Sequence, residues 1–276
     1  MKAPEVRGLP RTVLRLHRTA GIVWVAFVLG SVGCLVWLNM VTADSVRAAR
    51  AGCDRAEGFC PDRFAGHEYM SLMGWVSTLV YYSFWAVAAW AGGALIGREL
   101  ETGTARLAWT QGVSPARWLT AKLALPALLI VLGGAAFVPV YRWAWSANRD
   151  LMGDDWTFAD VFAARGPAVV AYGLCALAVG ALAAILLRRS LPALGVAVAA
   201  MVLLNRYLER HREELWPTVS SPARFELSDD VWHRKDGTYH PPSHFWPMNL
   251  VETGILLAVA ATATTAAFWL LRRRTV

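Results

Sequence analysis

The sequence predicts an all-α integral membrane protein with six transmembrane helices and both termini on the cytoplasmic side. The first observation behind this is composition: 56% of the 276 residues are hydrophobic and only 17% are charged, against about 25% charged in a soluble domain. The second is six apolar runs, each close to the roughly 20 residues that a helix needs to cross a hydrocarbon core of roughly 30 Å. The third is where the charges fall, near the ends of those runs. Helices are the natural reading, since an open sheet edge cannot face lipid.

Residues 1–19 form a basic segment with Arg7, Arg11, Arg15 and Arg18. Val13, Leu16 and Ala20 recur at helical spacing, with Arg11, Arg15 and Arg18 on another face, the pattern of an interfacial amphipathic helix. An ordinary basic flank reads equally well. The first apolar run, about 20–42, is longer than the apolar part of a cleaved signal, so it is read as a retained span. The others fall at about 71–96, 119–141, 162–187, 191–208 and 250–271, and residues 272–276 form a basic tail. Nothing long enough for a separate soluble domain is left over.

Orientation follows from Lys and Arg beside the spans. The N-terminal segment, the 97–122 loop, Arg188-Arg189 and the Arg272-Arg273-Arg274 tail share one side, and their short loops make that side the denser in positive charge. That side is taken as cytoplasmic. The net charge of +7 then reads as membrane-flanking arginine and not as a nucleic-acid surface.

The other side receives "AGCDRAEGFCP", with Cys53 and Cys60 seven apart. In an oxidising compartment the pair suggests a disulfide, with two unpaired thiols as the alternative. The 209–249 loop also falls there, carrying His211, His233, His240 and His244 with Asp229, Asp230 and Asp236. No compact ligand spacing emerges, so a solvated loop is preferred to a metal site. Trp216, Phe225, Trp232, Phe245 and Trp246 predict that this loop packs on itself or on the membrane surface.

Within the spans, Ala176, Gly180 and Ala184 recur every four residues, as do Gly195 and Ala199, the spacing of close helix packing. Ser77, Tyr81 and Asn205 are the candidates to line a path, or else they make hydrogen bonds between helices. Lys122 lies near a span end, where it can reach the interface. The chain has no G-x-x-x-x-G-K-[ST] loop of its own to hold ATP phosphates, no H-E-x-x-H and no G-x-S-x-G. A mid-membrane ionisable residue, usual in ion-driven transporters, is not evident.

The most ordered polar stretch is "GRELETGTARLAWTQGVSPARWLTAK", Gly97 to Lys122. Gly103 permits a turn and Thr104 is read as an N-cap for a short helix over 105–110. Gly112 suits its stop, and Ser114-Pro115 starts span three, with Val113 and Trp118 placed as a hydrophobic staple. Arg98, Glu99 and Glu101 take the chain out of span two into water.

Here the chain resembles the type-2 ATP-binding-cassette exporter permeases of the short actinobacterial kind. The resemblance rests on Glu99 or Glu101, Gly103-Thr104, Leu107 and the step from Ala116-Arg117 to Lys122, with Gln111-Gly112 where many members have proline. It implies that 97–118 contains a coupling helix, with Glu99, Glu101, Gly103, Thr104, Arg106, Leu107 and Trp109 engaging a separate P-loop ATPase subunit. It further implies that Glu99 and Glu101 hold the loop by pairing with Arg98, Arg106 or the partner, a second permease chain, location in the cell membrane, no catalysis or cofactor on this chain, and ATP with Mg on the partner. A non-transporting membrane sensor or scaffold is the alternative. The cargo is not written in the sequence.

Overall fold

The computed structural model describes residues 18–55, 65–151, 156–220, 231–233 and 238–275. The expected N-terminal amphipathic segment, Cys60, Phe225, Asp229, Asp230 and Asp236 lie outside these residues. Six helices are long and apolar enough to cross a membrane: span one Arg18–Cys53, span two Gly66–Glu101, span three Pro115–Ala147, span four Ala168–Leu187, span five Ser190–Glu214 and span six Pro242–Arg274. The chain is a multi-pass membrane protein.

Several helices outrun the apolar stretches that announce them. Span three has 33 residues, about 50 Å at 1.5 Å per residue, so its ends stand beyond the hydrocarbon core. One such overhang carries a clasp. Arg47, at the far end of span one, donates to both carboxylate oxygens of Asp150 at 2.9 and 3.1 Å and to Asn148 Oδ1 at 2.5 Å. That guanidinium holds the Asp150 carboxyl below its ordinary value of 3.8.

Span four is the hub. Of its most apolar stretch 72% is buried, against 11% for span one, and it packs on spans two, three, five and six. Its side chains are small, which lets backbones approach. A Cβ on Gly180 would lie 2.7 Å from Ala91 Cβ and 2.9 Å from both the Ala88 carbonyl oxygen and the Gly92 amide nitrogen. Ala176 and Ala184 are buried on the same face. The other small pair behaves differently: Gly195 and Ala199 are exposed, and Gly195 has nothing within 4 Å of a built Cβ. That pair packs no helices within this chain, because span five turns the opposite face, with Ala193, Ala197 and Met201, to the bundle.

The fourth apolar run is not one helix, as expected, but two. Ala159–Ala164 forms a short helix, and span four starts only at Ala168. Arg165-Gly166-Pro167 breaks the run, since proline has no amide to donate and clashes with the preceding turn. Both severed ends find the same partner. Asn249 of span six donates to the Phe162 carbonyl at 2.9 Å and accepts from the Ala168 amide at 3.3 Å. Glycine at 166 makes the room, since a Cβ there would lie 2.2 Å from Asn249 Oδ1.

The expected loop before span six holds a small antiparallel sheet in the order β1-β3-β2, with β1 Val219–Ser220, β2 Trp232–His233 and β3 Thr238–His240. It sits with an aromatic cluster of Trp156, Phe162, Phe245 and Met248, against which Trp232 packs. The predicted self-packing of this loop is observed for Trp232 and Phe245. Trp216 and Trp246 stay largely exposed.

Gly180→Ala is expected to destabilise the chain by about 1–3 kcal/mol, because backbone atoms cannot yield to the added methyl, whereas Gly195→Ala leaves it within about 0.5 kcal/mol. Thermal unfolding in detergent reads both. A second expectation concerns pH. A depressed carboxyl stabilises the fold above its ordinary value and loses that contribution as pH falls through its lowered folded value. Acidification from pH 5 through the ordinary 3.8 therefore loosens the Arg47–Asp150 clasp. Asp150→Asn removes this part of the pH dependence in melting curves.

Candidate functional site: the Gly97–Lys122 elbow and its anchors

Span two leaves its α-helical path as a π-helix over Ala91–Gly97 and resumes as a single helical turn, Arg98–Glu101. Gly103 then adopts φ 77°, a left-handed conformation that favours glycine. The short helix runs Thr104–Thr110. Its N-cap is Gly103 and not Thr104 as expected. The Thr104 hydroxyl turns back and donates to the Glu99 carbonyl at 3.3 Å, closing the preceding helical turn. The reason is the abrupt junction, where only Thr102 and Gly103 separate the two helices and Thr104 is already helical.

The other end is a complete Schellman stop. Gly112 has φ 90°, its amide donates to the Trp109 carbonyl at 3.3 Å, and the Val113 amide donates to the Ala108 carbonyl at 3.3 Å. Ser114 caps span three, accepting from the Arg117 amide at 3.3 Å, with Pro115 in the first turn. Trp118 is buried and Val113 packs on the same apolar cluster, as a staple requires.

Within the chain, neither glutamate pairs with Arg98 or Arg106. Glu99 accepts from the Lys122 ammonium and from the Trp118 indole at 3.0 Å. Lys122 is therefore buried in an ion pair and does not reach for the interface. Glu101 accepts from the Ser190 amide at 2.9 Å and from the Ser190 hydroxyl. It supplies a first-turn acceptor and a negative charge at the start of span five, where amides lack partners. The elbow is thus bolted to span three through Glu99 and to span five through Glu101.

The short helix itself is two-sided. Ala105 is buried, and Trp109 meets Trp118 edge to face with ring centres 5.8 Å apart. Arg106 is exposed, and Leu107 is 59% exposed.

Ser77, Tyr81 and Asn205 lie at the opposite end of the bundle from the elbow, all buried. The Ser77 and Thr78 hydroxyls donate to Asp160 at 2.6 and 2.9 Å, tying span two to the short helix Ala159–Ala164. The Tyr81 hydroxyl donates to Asn205 Oδ1 at 2.5 Å, and Asn205 donates to Glu209 at 3.1 Å. The structure thus brings Tyr81 and Asn205 together in bonds between helices.

Beside them stands a group that the sequence reading missed. Glu252 of span six is fully buried and receives both nitrogens of Arg212, Nε at 2.7 Å and Nη2 at 2.9 Å. Tyr172 of span four donates to the same carboxylate at 2.8 Å, and the Arg212 guanidinium lies 4.4 Å from the Phe162 ring centre. The sequence offered only an acid within "NLVETGILLAV"; that it stands two turns inside a helix beginning at Phe245 is seen in the structure.

Cys53, at the end of span one away from the elbow, is disulfide-bonded, while Cys60 lies outside the described residues. Cys34 and Cys175 are free. Among the described residues no three His, Cys, Asp or Glu gather as a metal set. His240 is instead hydrogen-bonded to His244 at 3.1 Å and to the Glu213 carbonyl at 3.0 Å.

Removing one partner of a buried pair strands the other. Glu99→Ala is expected to cost about 3–5 kcal/mol, and adding Lys122→Met to recover most of it, since a well-packed apolar replacement is nearly neutral. Comparing thermal unfolding of the single and double variants tests this. Equal melting points for Glu99→Ala and the parent would refute the clasp.

No curated protein and no solved structure matches the chain. The family model described as ABC-2 membrane transporter related matches residues 25–211, from within span one to the end of span five, and so includes the whole elbow. This match, over more than half of a six-span membrane chain, shows that the protein belongs to the ABC-2 membrane transporter related family.

Proposed function

We propose that the chain is the permease subunit of an ATP-driven exporter, in which a separate P-loop ATPase docks on the elbow and moves the spans. The observation that carries this reading is mechanical. The Thr104–Thr110 helix shows Arg106 and Leu107 to the outside, and the helical turn before it is fixed to span three through Glu99 and to span five through Glu101. A push on such a helix reaches spans two, three and five together, with little lost in a slack tether.

The elbow end is then the cytoplasmic side of the cell membrane. The density of Arg and Lys there supports this, and so does the disulfide of Cys53 at the far end, which fits an oxidising compartment. The working unit contains two ATPase subunits and a second permease chain, with ATP and Mg held by the ATPase. This chain contributes no catalytic group. Its part is to receive motion at the elbow and convey it to the polar network of Tyr81, Asn205, Arg212 and Glu252 at the other end.

Purification of the tagged chain from membranes, with and without ATP, tests the reading. A P-loop ATPase is expected to co-purify. Leu107→Asp, on an exposed side chain that the fold does not need, is expected to weaken that association by roughly ten-fold, the scale of one interface contact. Absence of any such ATPase, together with full function of the Leu107→Asp variant, would overturn it.

A further inference from the structure

Next to the elbow lies a cavity of about 390 Å³ lined by Leu100, Arg106, Trp109, Thr110, Arg188 and Arg274. Three arginines and no acid line it. They come from three places in the chain: the elbow helix, the turn between spans four and five, and the end of span six. None of the three is paired with a carboxylate among the described residues. Arg274 donates to the carbonyls of Ile185 and Leu186 at 2.7 and 3.2 Å, and so holds its position over the end of span four.

Two further observations point to a ligand. The Trp109 indole nitrogen is buried and has no hydrogen-bond partner, in a residue that lines this cavity. A buried donor left unpaired costs free energy that a bound acceptor would return. Arg188 stands in the left-handed region at φ 54°, a conformation that a long side chain adopts only at a cost. Glycine would be the economical residue there, and its place is taken by a cation facing the cavity.

We propose that this cavity binds the phosphate headgroup of an anionic phospholipid. Three guanidiniums match the several oxygens of a phosphate diester, with the Trp109 indole as a neutral donor beside them. A lipid is favoured over a protein carboxylate by what flanks Arg188 and Arg274 in the chain. Leu186 and Leu187, just before Arg188, are exposed, as is Trp269, one turn before Arg273, whose guanidinium lies 4.0 Å from the Trp269 ring centre. That sequence of apolar wall, tryptophan and arginine is the profile of a membrane interface, which places the cavity at headgroup depth. Basic pockets at the ends of spans are recognised settings for anionic headgroups.

The site does not depend on the ATPase reading, and its test needs no ATPase. The full chain, purified in neutral detergent, is offered phosphatidylglycerol, phosphatidylcholine or inorganic phosphate, and bound lipid is counted by native mass spectrometry alongside melting temperature. Phosphatidylglycerol is expected to be retained and to raise the melting temperature, and phosphatidylcholine is not. Arg188→Gly removes a cation while relieving the left-handed backbone, so its lipid-free stability should not fall, yet retention should drop about five-fold. Arg106→Gln should act likewise. Three results would overturn the proposal: equal retention of the two lipids, protection by inorganic phosphate as great as by lipid, or arginine variants that keep the lipid but lose a co-purifying protein.

Discussion

Lipid offers no hydrogen bonds, so every polar group set between these spans must find its partner within the protein. That constraint organises the molecule. The Glu252 carboxylate is satisfied by Arg212 and Tyr172, Glu99 by Lys122 and Trp118, and the broken ends around Gly166-Pro167 by one asparagine. Each solution joins elements far apart in the chain. The polar residues are few, and each ties together helices that are distant in the chain.

Span four shows the other half of the design. Where glycine and alanine line its face, neighbouring backbones settle directly onto it, as at Gly180, while Tyr172 is the bulky side chain it inserts among its neighbours. A hub of this kind cannot bend far from its neighbours without losing contact along the whole seam. Under the proposed function, movement imposed at the elbow would be passed on as displacement of helices and not absorbed between them. Polar bonds at both ends of the bundle and a small-residue seam between them make a frame that responds as a unit.

Much of this was legible in the sequence. Run length and charge placement located six helices, and turn chemistry located the elbow, where Gly112 and Ser114-Pro115 act as their residue types require. What could not be read was pairing at a distance. Glu99 has arginines close by in sequence, and local reasoning assigns it to them, but its partner is Lys122 in the next span. Glu252 read as a charge near a span end because nothing in the sequence shows that its helix starts at Phe245 or that Arg212 lies beside it. The spacing of Gly195 and Ala199 matched that of Ala176, Gly180 and Ala184, yet only the latter faces the bundle. Periodicity reports that a face exists and is silent about which direction it turns.

The π-helical stretch Ala91–Gly97 carries a last consequence. A π-helical segment holds a residue more than the α-helix would use to cover the same rise, and each α-helical residue turns the chain by about 100°. Everything after Gly97 is thereby rotated about the axis of span two. The two glutamates meet Lys122 and Ser190 in that rotated frame. The elbow's aim is thus stored as a phase, set by a count of residues upstream and not by any side chain of its own. Shortening the stretch by one would leave the apolar composition of the span nearly unchanged and swing both carboxylates away from their anchors.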